Sequence, residues 1–353
     1  MKPRLLNALE PAGLVQRFLS YPPEGFTALD ELPMPAFQAP FELLTTADDE
    51  LKERVRRWPG HSWWQRFLTV RTAFVGTTVS EYAWLPSEPD VQGLAKTVRD
   101  KLGRHYALTI IKDLPADSPL LSAHANAQTN ALVSACVEQG FIPLQGQALA
   151  YVRIDFPDTD TYLSRLPKDA RRYLTRKLRK RDQLRIEQVQ TGKAFASEQR
   201  VDQYYTLYRS VYAQSEIHFD LLSKEFLASV LRDESSKGLV FEYYRADSNE
   251  LIGWNLCFEH EGRLVDKYIG LSYPGSRELS LYFVSWMVNL EYALAQGLSH
   301  YIAGWTDPGV KALLGADFTP TRHLIYVRNP VLRALARRLL GHFEMDKTWL
   351  KAT

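Results

Sequence analysis

Cysteine is scarce in this sequence. The 353 residues include two cysteines, Cys136 and Cys257, which stand far apart and show no metal-ligand spacing. A scaffold held by disulfides needs more cysteines than this, so that class of secreted protein is excluded and a reducing compartment is expected. No metal site is predicted.

Long apolar runs are missing as well. No segment approaches the roughly 20 consecutive apolar residues that a membrane-spanning helix requires. The N-terminal stretch is interrupted by Pro3, Glu10, Pro11 and Arg17, so it lacks the apolar core of a signal peptide. From these two absences we expect a soluble, cytoplasmic protein.

The overall charge is nearly balanced, because 43 basic residues stand against 41 acidic ones and the net charge is +2. This total predicts no polyanionic partner by itself. Hydrophobic residues make up 45% and charged residues 24% of the chain, which is typical of globular proteins. The length is sufficient for two domains, each with its own core.

Basic charge is concentrated in one segment, between Lys168 and Arg185. Two acidic residues stand there beside nine basic ones, which are Lys168, Arg171, Arg172, Arg176, Lys177, Arg179, Lys180, Arg181 and Arg185. A segment of this kind can attract tRNA, an acyl-carrier protein, the phosphates of CoA or an anionic membrane. The alternative is a solvated helix whose charges pair with acids elsewhere in the chain.

A second basic helix is predicted near the C-terminus, at about residues 330–345. Its arginines are Arg333, Arg337 and Arg338, and its leucines are Leu332, Leu335, Leu339 and Leu340. This combination favours a peripheral contact with a membrane.

Hydrophobic periodicity predicts alternating helices and strands. The first half contains a strand pair near 66–84, then a helix in "VQGLAKTVRDKLG", a strand in "YALTIIKDL", a helix in "AQTNALVSACVEQG" and a strand in "QALAYVRIDF". The second half contains helices at about 159–182 and 197–233, strands in "GLVFEYYRA", "LIGWNLCFEH" and "RLVDKYIGL", a long helix at about 276–296, a strand in "HYIAGW", a short helix in "VKALLG" and a strand in "RHLIYVR". Short turns separate the three consecutive strands, which predicts an antiparallel meander.

Two segments resemble the Fem-type tandem-GNAT acyltransferases. "YLSRLPKDARRYLTRKLRKRDQLRIEQVQTG" is similar to the arginine-rich helix that opens their second domain, and "NLEYALAQGLSHYIAGWTDPGVKALLGADFTPT" is similar to their late segment. The resemblance implies a mixed α/β (α+β) fold with two GNAT-like domains, each a largely antiparallel mixed sheet flanked by helices. Residues 1–155 would form a degenerate first domain, and residues 156–353 would form the second, which carries the site and ends in the basic helix.

The resemblance also implies where the acyl donor binds. The family's usual acyl-CoA signature is replaced by "SYPGSRELSLYF", in which Gly275, Ser276 and Arg277 open the predicted long helix. Free amides at a helix N-terminus attract anions, and the guanidinium adds a positive charge. The alternative is that Ser276 only caps the helix and Arg277 is solvated. Lys311 matches a lysine of the family's late segment and is expected to hold a phosphate or a carboxylate.

Asp266 is the first candidate for the catalytic base. Strand alternation in "RLVDKYIGL" places Asp266, Tyr268 and Gly270 on one face, beside the expected split in the sheet. Desolvation there is expected to raise the pKa of the carboxyl group, which would help it to accept a proton from an amine. The alternatives are a structural charge for Asp266 and simple packing for Tyr268.

Three further residues are assigned to the acceptor side of the site. His218 lies in "YAQSEIHFDLLSKEF", where the resemblance implies a pocket for the acceptor; the alternative is a surface histidine. Trp305 is expected to form a wall of that pocket. Asp307 either borders the site or simply forms the turn before Pro308.

The predicted function is therefore N-acyl transfer, by direct attack of a small-molecule amine on an acyl-CoA cosubstrate or an acyl-carrier protein. No Gly-x-Ser-x-Gly or Cys-His-Asn arrangement supports a covalent nucleophile. One alternative is a Fem-type transferase that uses aminoacyl-tRNA. Another is a non-catalytic module that binds nucleic acid or a membrane through the two basic helices. The acyl chain, the acceptor and the oligomeric state are left open.

Overall fold

The computed structural model describes residues 5–43, 53, 57, 68–215 and 218–339. Its chain divides into two compact units. Unit 1 contains Met1–Ala8, Phe18–Ala148 and Thr319–Thr353, and unit 2 contains Leu9–Arg17 and Leu149–Phe318. The chain passes between the units four times, at residues 8–9, 17–18, 148–149 and 318–319.

The strands and helices alternate along the first part of the chain. They are β1 (Leu5–Leu6), α1 (Ala12–Ser20), β2 (Thr27–Leu29), β3 (Ala36–Glu42), β4 (Thr69–Val75), β5 (Leu85–Pro86), α2 (Val91–Val98), β6 (Leu108–Pro115), α3 (Ala123–Glu138) and β7 (Ile142–Arg153). A π-helical turn, Arg99–Gly103, extends α2. Asp90 and Ser122 cap the starts of α2 and α3 by accepting hydrogen bonds from backbone amides.

The second part of the chain begins with helices. Its elements are α4 (Thr159–Arg165), α5 (Lys168–Leu178), β8 (Leu184–Gln190), α6 (Glu198–Gln214), α7 (Lys224–Leu231), β9 (Leu239–Arg245), β10 (Leu251–His260), β11 (Arg263–Leu271), α8 (Gly275–Glu278), α9 (Leu281–Ala295), β12 (His300–Gly304), α10 (Pro308–Leu313), β13 (Asp317–Val327) and α11 (Pro330–Leu339). None of the helices in the described residues is long and apolar enough to cross a membrane.

The sheet of unit 1 has the strand order β2-β3-β4-β6-β13. Its neighbours are antiparallel except β4 and β6, which run parallel. Helices α2 and α3 cover one part of this sheet, where Leu94, Val98, Leu132 and Cys136 pack into a buried cluster with Ile111. This burial of apolar surface is the main stabilising term for the unit.

The sheet of unit 2 is built around an antiparallel meander of β8, β9, β10 and β11. Strand β12 joins β11 in parallel, and the last residues of β7 pair with β12 in antiparallel orientation. The predicted meander is confirmed. Its turns use Asn249, Glu261 and Gly262, all of which have positive φ angles.

Helices cover both faces of the unit 2 sheet. On one face, α9 packs Met287 and Leu290 into a buried cluster with Phe241, Cys257 and Leu264. On the other face, α6 and α7 supply aromatic contacts. The Tyr204 ring of α6 stacks on Trp254 of β10 at 4.9 Å, and the Phe226 ring of α7 meets Tyr268 of β11 edge-on at 5.9 Å.

The predicted mixed, largely antiparallel α/β architecture is confirmed, but several boundaries differ. The predicted domain boundary at residue 155 lies in the loop after β7, whereas the units divide between Ala148 and Leu149. Residues 319–353, which were expected in the second domain, belong to unit 1, because β13 pairs with β6. Of the predicted strand pair at 66–84, β4 alone is formed within the described residues.

Two helix predictions were also too long. The stretch 159–182 contains α4 and α5 rather than one helix, and the stretch 276–296 contains α8 and α9. The C-terminal helix is observed as α11, and residues 340–345 of its predicted length lie outside the described residues.

Gly315 follows α10 in the left-handed region, with a φ of 77°, and a Cβ there would lie 2.6 Å from Cδ2 of Leu166. Gly297 has a similar φ of 64° and has open space around that position. We expect Gly297→Ala to lower the free energy of unfolding by about 1 kcal/mol through backbone strain. Gly315→Ala adds an overpacking cost of about 1–3 kcal/mol. Urea denaturation of both variants measures the difference, and equal losses would contradict the packing of α4 against this turn.

Candidate active site

Strands β11 and β12 pair only at their beginnings. The paired residues are Arg263 with His300, Leu264 with Tyr301, and Val265 with Ile302. The next positions, Asp266 and Ala303, are the first beyond the paired segment. From there to Leu271, β10 is the one described strand that pairs with β11. The two parallel strands thus part at Asp266, which is the splayed pair that the sequence predicts.

The carboxylate of Asp266 is the acceptor at the centre of a polar cluster. Asn255 of β10 donates to its Oδ1 over 2.6 Å. Asn289 of α9 and the hydroxyl of Tyr301 of β12 donate to its Oδ2 over 3.2 and 2.8 Å. All three donors are buried, whereas Asp266 is partly exposed. Buried amides require partners, so this carboxylate satisfies groups from three different elements.

Cys257 adjoins the same cluster but cannot act as a nucleophile. Its Sγ contacts Oδ1 of Asn255 at 3.3 Å and Oδ1 of Asn289 at 3.7 Å. Complete burial raises the pKa of the Cys257 thiol well above its usual value, and the negative charge of Asp266 raises it further. The same two causes raise the pKa of Tyr301. Both groups therefore stay protonated and neutral near pH 7.

A β-bulge in β11 corrects the predicted placement of side chains. Cys257 is opposite Asp266 and Leu256 is opposite Tyr268, so Lys267 is the additional residue of the bulge. The bulge shifts the alternation by one residue and places Asp266 and Tyr268 on opposite faces. The prediction that these two side chains share a face was wrong.

The contacts of Tyr268 and Gly270 confirm this shift. Tyr268 packs against Phe226 of α7, and a Cβ on Gly270 would lie 2.2 Å from Nε1 of Trp254 and 2.9 Å from Cβ of Leu207. Gly270 therefore makes room for the packing of α6. Tyr268 is not brought together with Asp266, whose partners lie on α9 and β12.

The predicted start of the long helix is interrupted. Gly275–Glu278 form one short helix, and α9 begins only at Leu281, after Ser280 in the left-handed region with a φ of 54°. The prediction that "PGSREL" supplies the N-terminus of the long helix was wrong, because the left-handed residue ends the first turn. The segment still follows directly on β11 through a cis peptide bond, Tyr273–Pro274.

The three predicted donor-binding residues in α8 have different surroundings. Arg277 is exposed, donates to Gln214 over 2.8 Å and lies 4.8 Å from the centre of the Tyr273 ring. Ser276 is buried, and its hydroxyl has no hydrogen-bond partner among the described residues. A Cβ on Gly275 would lie 3.1 Å from the guanidinium of Arg245.

Two tyrosines flank α8. Burial raises the pKa of Tyr282, and the charges of Asp307 and Asp266 raise it further. Burial also raises the pKa of Tyr273, which Arg277 lowers and Asp307 raises. Both phenols therefore stay protonated and neutral near pH 7.

Lys311 lies on α10 and is 3% exposed, which is unusual for a lysine. Its Nζ donates to the carbonyl oxygen of Ala303 over 2.6 Å. Ala303 is the first β12 residue beyond the segment that pairs with β11, as Asp266 is the first such residue on β11.

The remaining predicted residues lie around the turn and the loop. Trp305 is partly buried and Asp307 is exposed with a positive φ of 53°. His218 is exposed, and its ring lies edge-on to Tyr212 at 5.0 Å. The contacts of His218 therefore place it with the end of α6, near Gln214, rather than with the Asp266 cluster.

Sequence reasoning missed five residues of this site. They are Asn255, Asn289, Tyr301, Tyr273 and Tyr282. For the two asparagines a signal existed, because each interrupts an otherwise apolar segment, "LIGWNLCF" and "FVSWMVNL". A buried amide in such a segment indicates a hydrogen-bond partner across the core.

The basic segment forms α5 and the turn after it. Arg181 makes a two-pronged ion pair with Glu291 of α9, with distances of 2.6 and 2.7 Å, and Arg185 pairs with Glu187. Lys177 lies 5.4 Å from the ring centre of Phe283, in the first turn of α9. Six basic side chains are exposed and have no acidic group within 4 Å among the described residues. They are Lys168, Arg171, Arg172, Arg176, Arg179 and Lys180.

The sequence matches the family model FemAB_like, which is described as "Peptidogalycan biosysnthesis/recognition", over residues 92–345. This is more than half of the chain. The chain belongs to the FemAB-like family. The family that the two sequence segments indicated is thereby confirmed. No curated protein sequence matches the chain.

Solved structures are similar to this FemAB-like protein at low sequence identity. A domain of a putative lysylphosphatidylglycerol synthetase from Agrobacterium fabrum is 13% identical, with 76% of this chain and 83% of that chain covered and a TM-score of 0.49. FemX is 10% identical, with 92% and 98% covered and a TM-score of 0.49. A tandem GNAT protein from the clavulanic acid biosynthesis pathway is 12% identical, with 93% and 90% covered and a TM-score of 0.43. Family membership and the observed strand order give an acyltransferase-type fold.

The two buried thiols of this FemAB-like protein provide a test of the site. Burial raises the pKa of Cys136 to about 12 and that of Cys257 well above its usual range. We expect iodoacetamide at pH 8 to leave both thiols unmodified in the native protein, because the thiolate is the reactive form. Both should react in urea, and mass spectrometry counts the adducts. Rapid modification of native Cys257 would contradict its place in the core.

Proposed function

We propose that unit 2 transfers an acyl group to a small-molecule amine by direct attack, with acyl-CoA or an acyl-carrier protein as the donor. The observation that carries this proposal is the parting of β11 and β12 at Asp266 and Ala303. In this proposal the extended arm of the donor enters between the two strands where they part, and its thioester lies beside Asp266.

The chemistry requires a proton acceptor and a stabiliser of negative charge. The amine nitrogen attacks the thioester carbon, the C–S bond breaks, and the amine proton passes to Asp266, directly or through water, before it reaches the leaving thiolate. Lys311 lies at the carbonyl of Ala303, where β12 parts from β11, and its charge there favours the developing oxyanion or a donor phosphate. Trp305 and His218 are proposed for the acceptor side.

Asp266→Asn tests the base. We expect turnover to fall by roughly 10²–10⁴-fold, because the amide cannot accept the proton. We also expect the free energy of unfolding to fall by about 1–3 kcal/mol, since the new NH₂ group meets donors from Asn255 or Asn289. Steady-state kinetics, at a temperature where the variant is fully folded by circular dichroism, separate the two effects.

Tyr301→Phe is the matched control for this experiment. It removes the hydrogen bond of 2.8 Å to the carboxylate but leaves the charge in place. It should cost about 1 kcal/mol of stability while most of the turnover remains. A stable Asp266→Asn protein with full turnover would eliminate the base assignment, and the acceptor-side histidine, His218, would be the next candidate.

A second donor is favoured by a specific observation, the exposed basic face of α5. Four exposed basic side chains lie on α5 and two more in the turn after it, and Lys177 near the end of α5 contacts the first turn of α9. The binding of a polyanion is steered by such a face, and the affinity falls steeply with salt. The alternative reaction is therefore aminoacyl transfer from aminoacyl-tRNA at the same split.

Donor affinity tests the two cations proposed to contact the donor. Arg277→Ala and Lys311→Met should each raise the dissociation constant of the true donor several-fold, or about 1 kcal/mol for a lost charge-assisted contact. Methionine retains the volume of the buried lysine stem. Isothermal titration with acetyl-CoA, a long-chain acyl-CoA and aminoacyl-tRNA identifies which donor responds.

The charge reversal Arg172→Glu/Arg176→Glu distinguishes the two donors. It should weaken tRNA binding strongly and acyl-CoA binding little, because tRNA spans a larger charged surface. Unchanged affinity for every donor in Arg277→Ala and Lys311→Met would exclude the proposed donor site. Tight binding of tRNA without any turnover would instead support a non-catalytic module.

A further inference from the structure

Helix α11 of unit 1 carries an exposed apolar face. Val331, Leu332 and Leu335 are 74%, 54% and 50% exposed, the highest values among the large apolar side chains of the described residues. At 100° per residue these three positions lie within one arc of about 100°. An apolar arc of this kind in water is unfavourable, so its exposure indicates a surface that another apolar phase covers.

The opposite side of α11 is fixed to unit 1 by polar contacts. Arg333 donates to the carbonyls of Val327 and Arg328 over 2.8 and 3.2 Å, and its guanidinium lies 4.1 Å from the centre of the Tyr326 ring. Asn329 caps the helix by accepting bonds from the first amides, at 2.9 and 3.2 Å. The arginine therefore points inward, and the apolar residues are held outward.

One basic side chain of α11 borders this face. Arg337 and Arg338 are both exposed in the last turn of α11. By helical spacing Arg338 borders the apolar arc beside Leu335 and Val331, whereas Arg337 lies on the opposite side of the helix. Arg328, two residues before the helix, donates to the carbonyl of His105 over 3.3 Å. It lines a groove of unit 1 with three other exposed basic side chains, Arg71, Lys101 and His105, and one acidic side chain, Glu31.

From this arrangement we propose that α11 docks on the surface of a bilayer that contains anionic phospholipids. The apolar arc enters the acyl boundary, and Arg338 and the basic groove meet the phosphates of the headgroups. An anionic bilayer is favoured over a neutral apolar partner, because a neutral partner would leave the basic side chains near the apolar arc without counter-charges. The inference does not rest on the proposed transferase activity.

Co-sedimentation of the full chain with vesicles tests the docking. The protein should bind vesicles of phosphatidylcholine with phosphatidylglycerol, and it should bind vesicles of phosphatidylcholine alone at least tenfold more weakly. Leu332→Ala/Leu335→Ala keeps good helix formers and should weaken binding roughly tenfold, since apolar area is lost. Arg338→Gln should weaken it about fivefold, which corresponds to about 1 kcal/mol.

Two control variants locate the effect. Tyr21→Ala removes an apolar side chain that is 44% exposed elsewhere in unit 1 and should leave binding unchanged. Arg337→Gln removes the same charge as Arg338→Gln from the opposite side of α11 and should have little effect on binding. Circular dichroism should show every variant folded, because the altered side chains are exposed.

Several outcomes would overturn the proposal. One is equal binding to both kinds of vesicle. Another is an equal loss of binding in Arg337→Gln and Arg338→Gln, which would show that only the net charge matters. A dimer in light scattering that Leu332→Ala/Leu335→Ala dissociates would assign the face to a second copy of the chain. Vesicle binding that appears only when residues 340–353 are removed would show that the apolar face of α11 serves to bind that segment.

Discussion

A single carboxylate, that of Asp266, holds together the place where two parallel strands separate. Its three donors come from β10, β12 and α9, which are distant in sequence. Each donor is buried, so the loss of their common acceptor would leave polar groups unsatisfied in an apolar core, at a cost of about 1–3 kcal/mol each. The relative positions of these elements around the split therefore depend on this one acceptor.

The separation of the strands has consequences for both sides of the split. On β11, the bulge at Lys267 directs Asp266 toward α9 and leaves Tyr268 to pack against α7. On β12, the carbonyl of Ala303 has no partner strand on that side among the described residues and accepts a hydrogen bond from Lys311. Bulges occur often beside active sites because they redirect a side chain without ending the strand. Here the bulge separates a residue that packs from one that faces the split.

The sequence predicts those parts of the fold that depend on local periodicity. Three strand-like segments separated by two turns predict the meander, and Gly297 predicts the end of α9. The bulge at Lys267 has no local signal, because any residue can be the additional one and the register depends on the partner strand. The break at Ser280 is hidden for a similar reason. An apolar helical pattern continues through it, and tertiary packing places this one residue in the left-handed region.

The same contrast between local sequence patterns and tertiary contacts applies to the site residues. Asp266 was selected because a charge in an apolar strand is unusual, and Lys311 was selected because it matches a lysine of the family's late segment. The tyrosines around them were not found, since tyrosine is common in cores and its hydroxyl reveals its role only through its neighbours.

Only the structure shows which residues of the basic segment form ion pairs, because pairing depends on where the acidic side chains lie. Arg181 and Arg185 are structural cations with acidic partners, whereas six neighbours on α5 and in the turn after it lie in solvent. The run of charge is therefore two sets of residues with different roles, and only the exposed set can meet a partner.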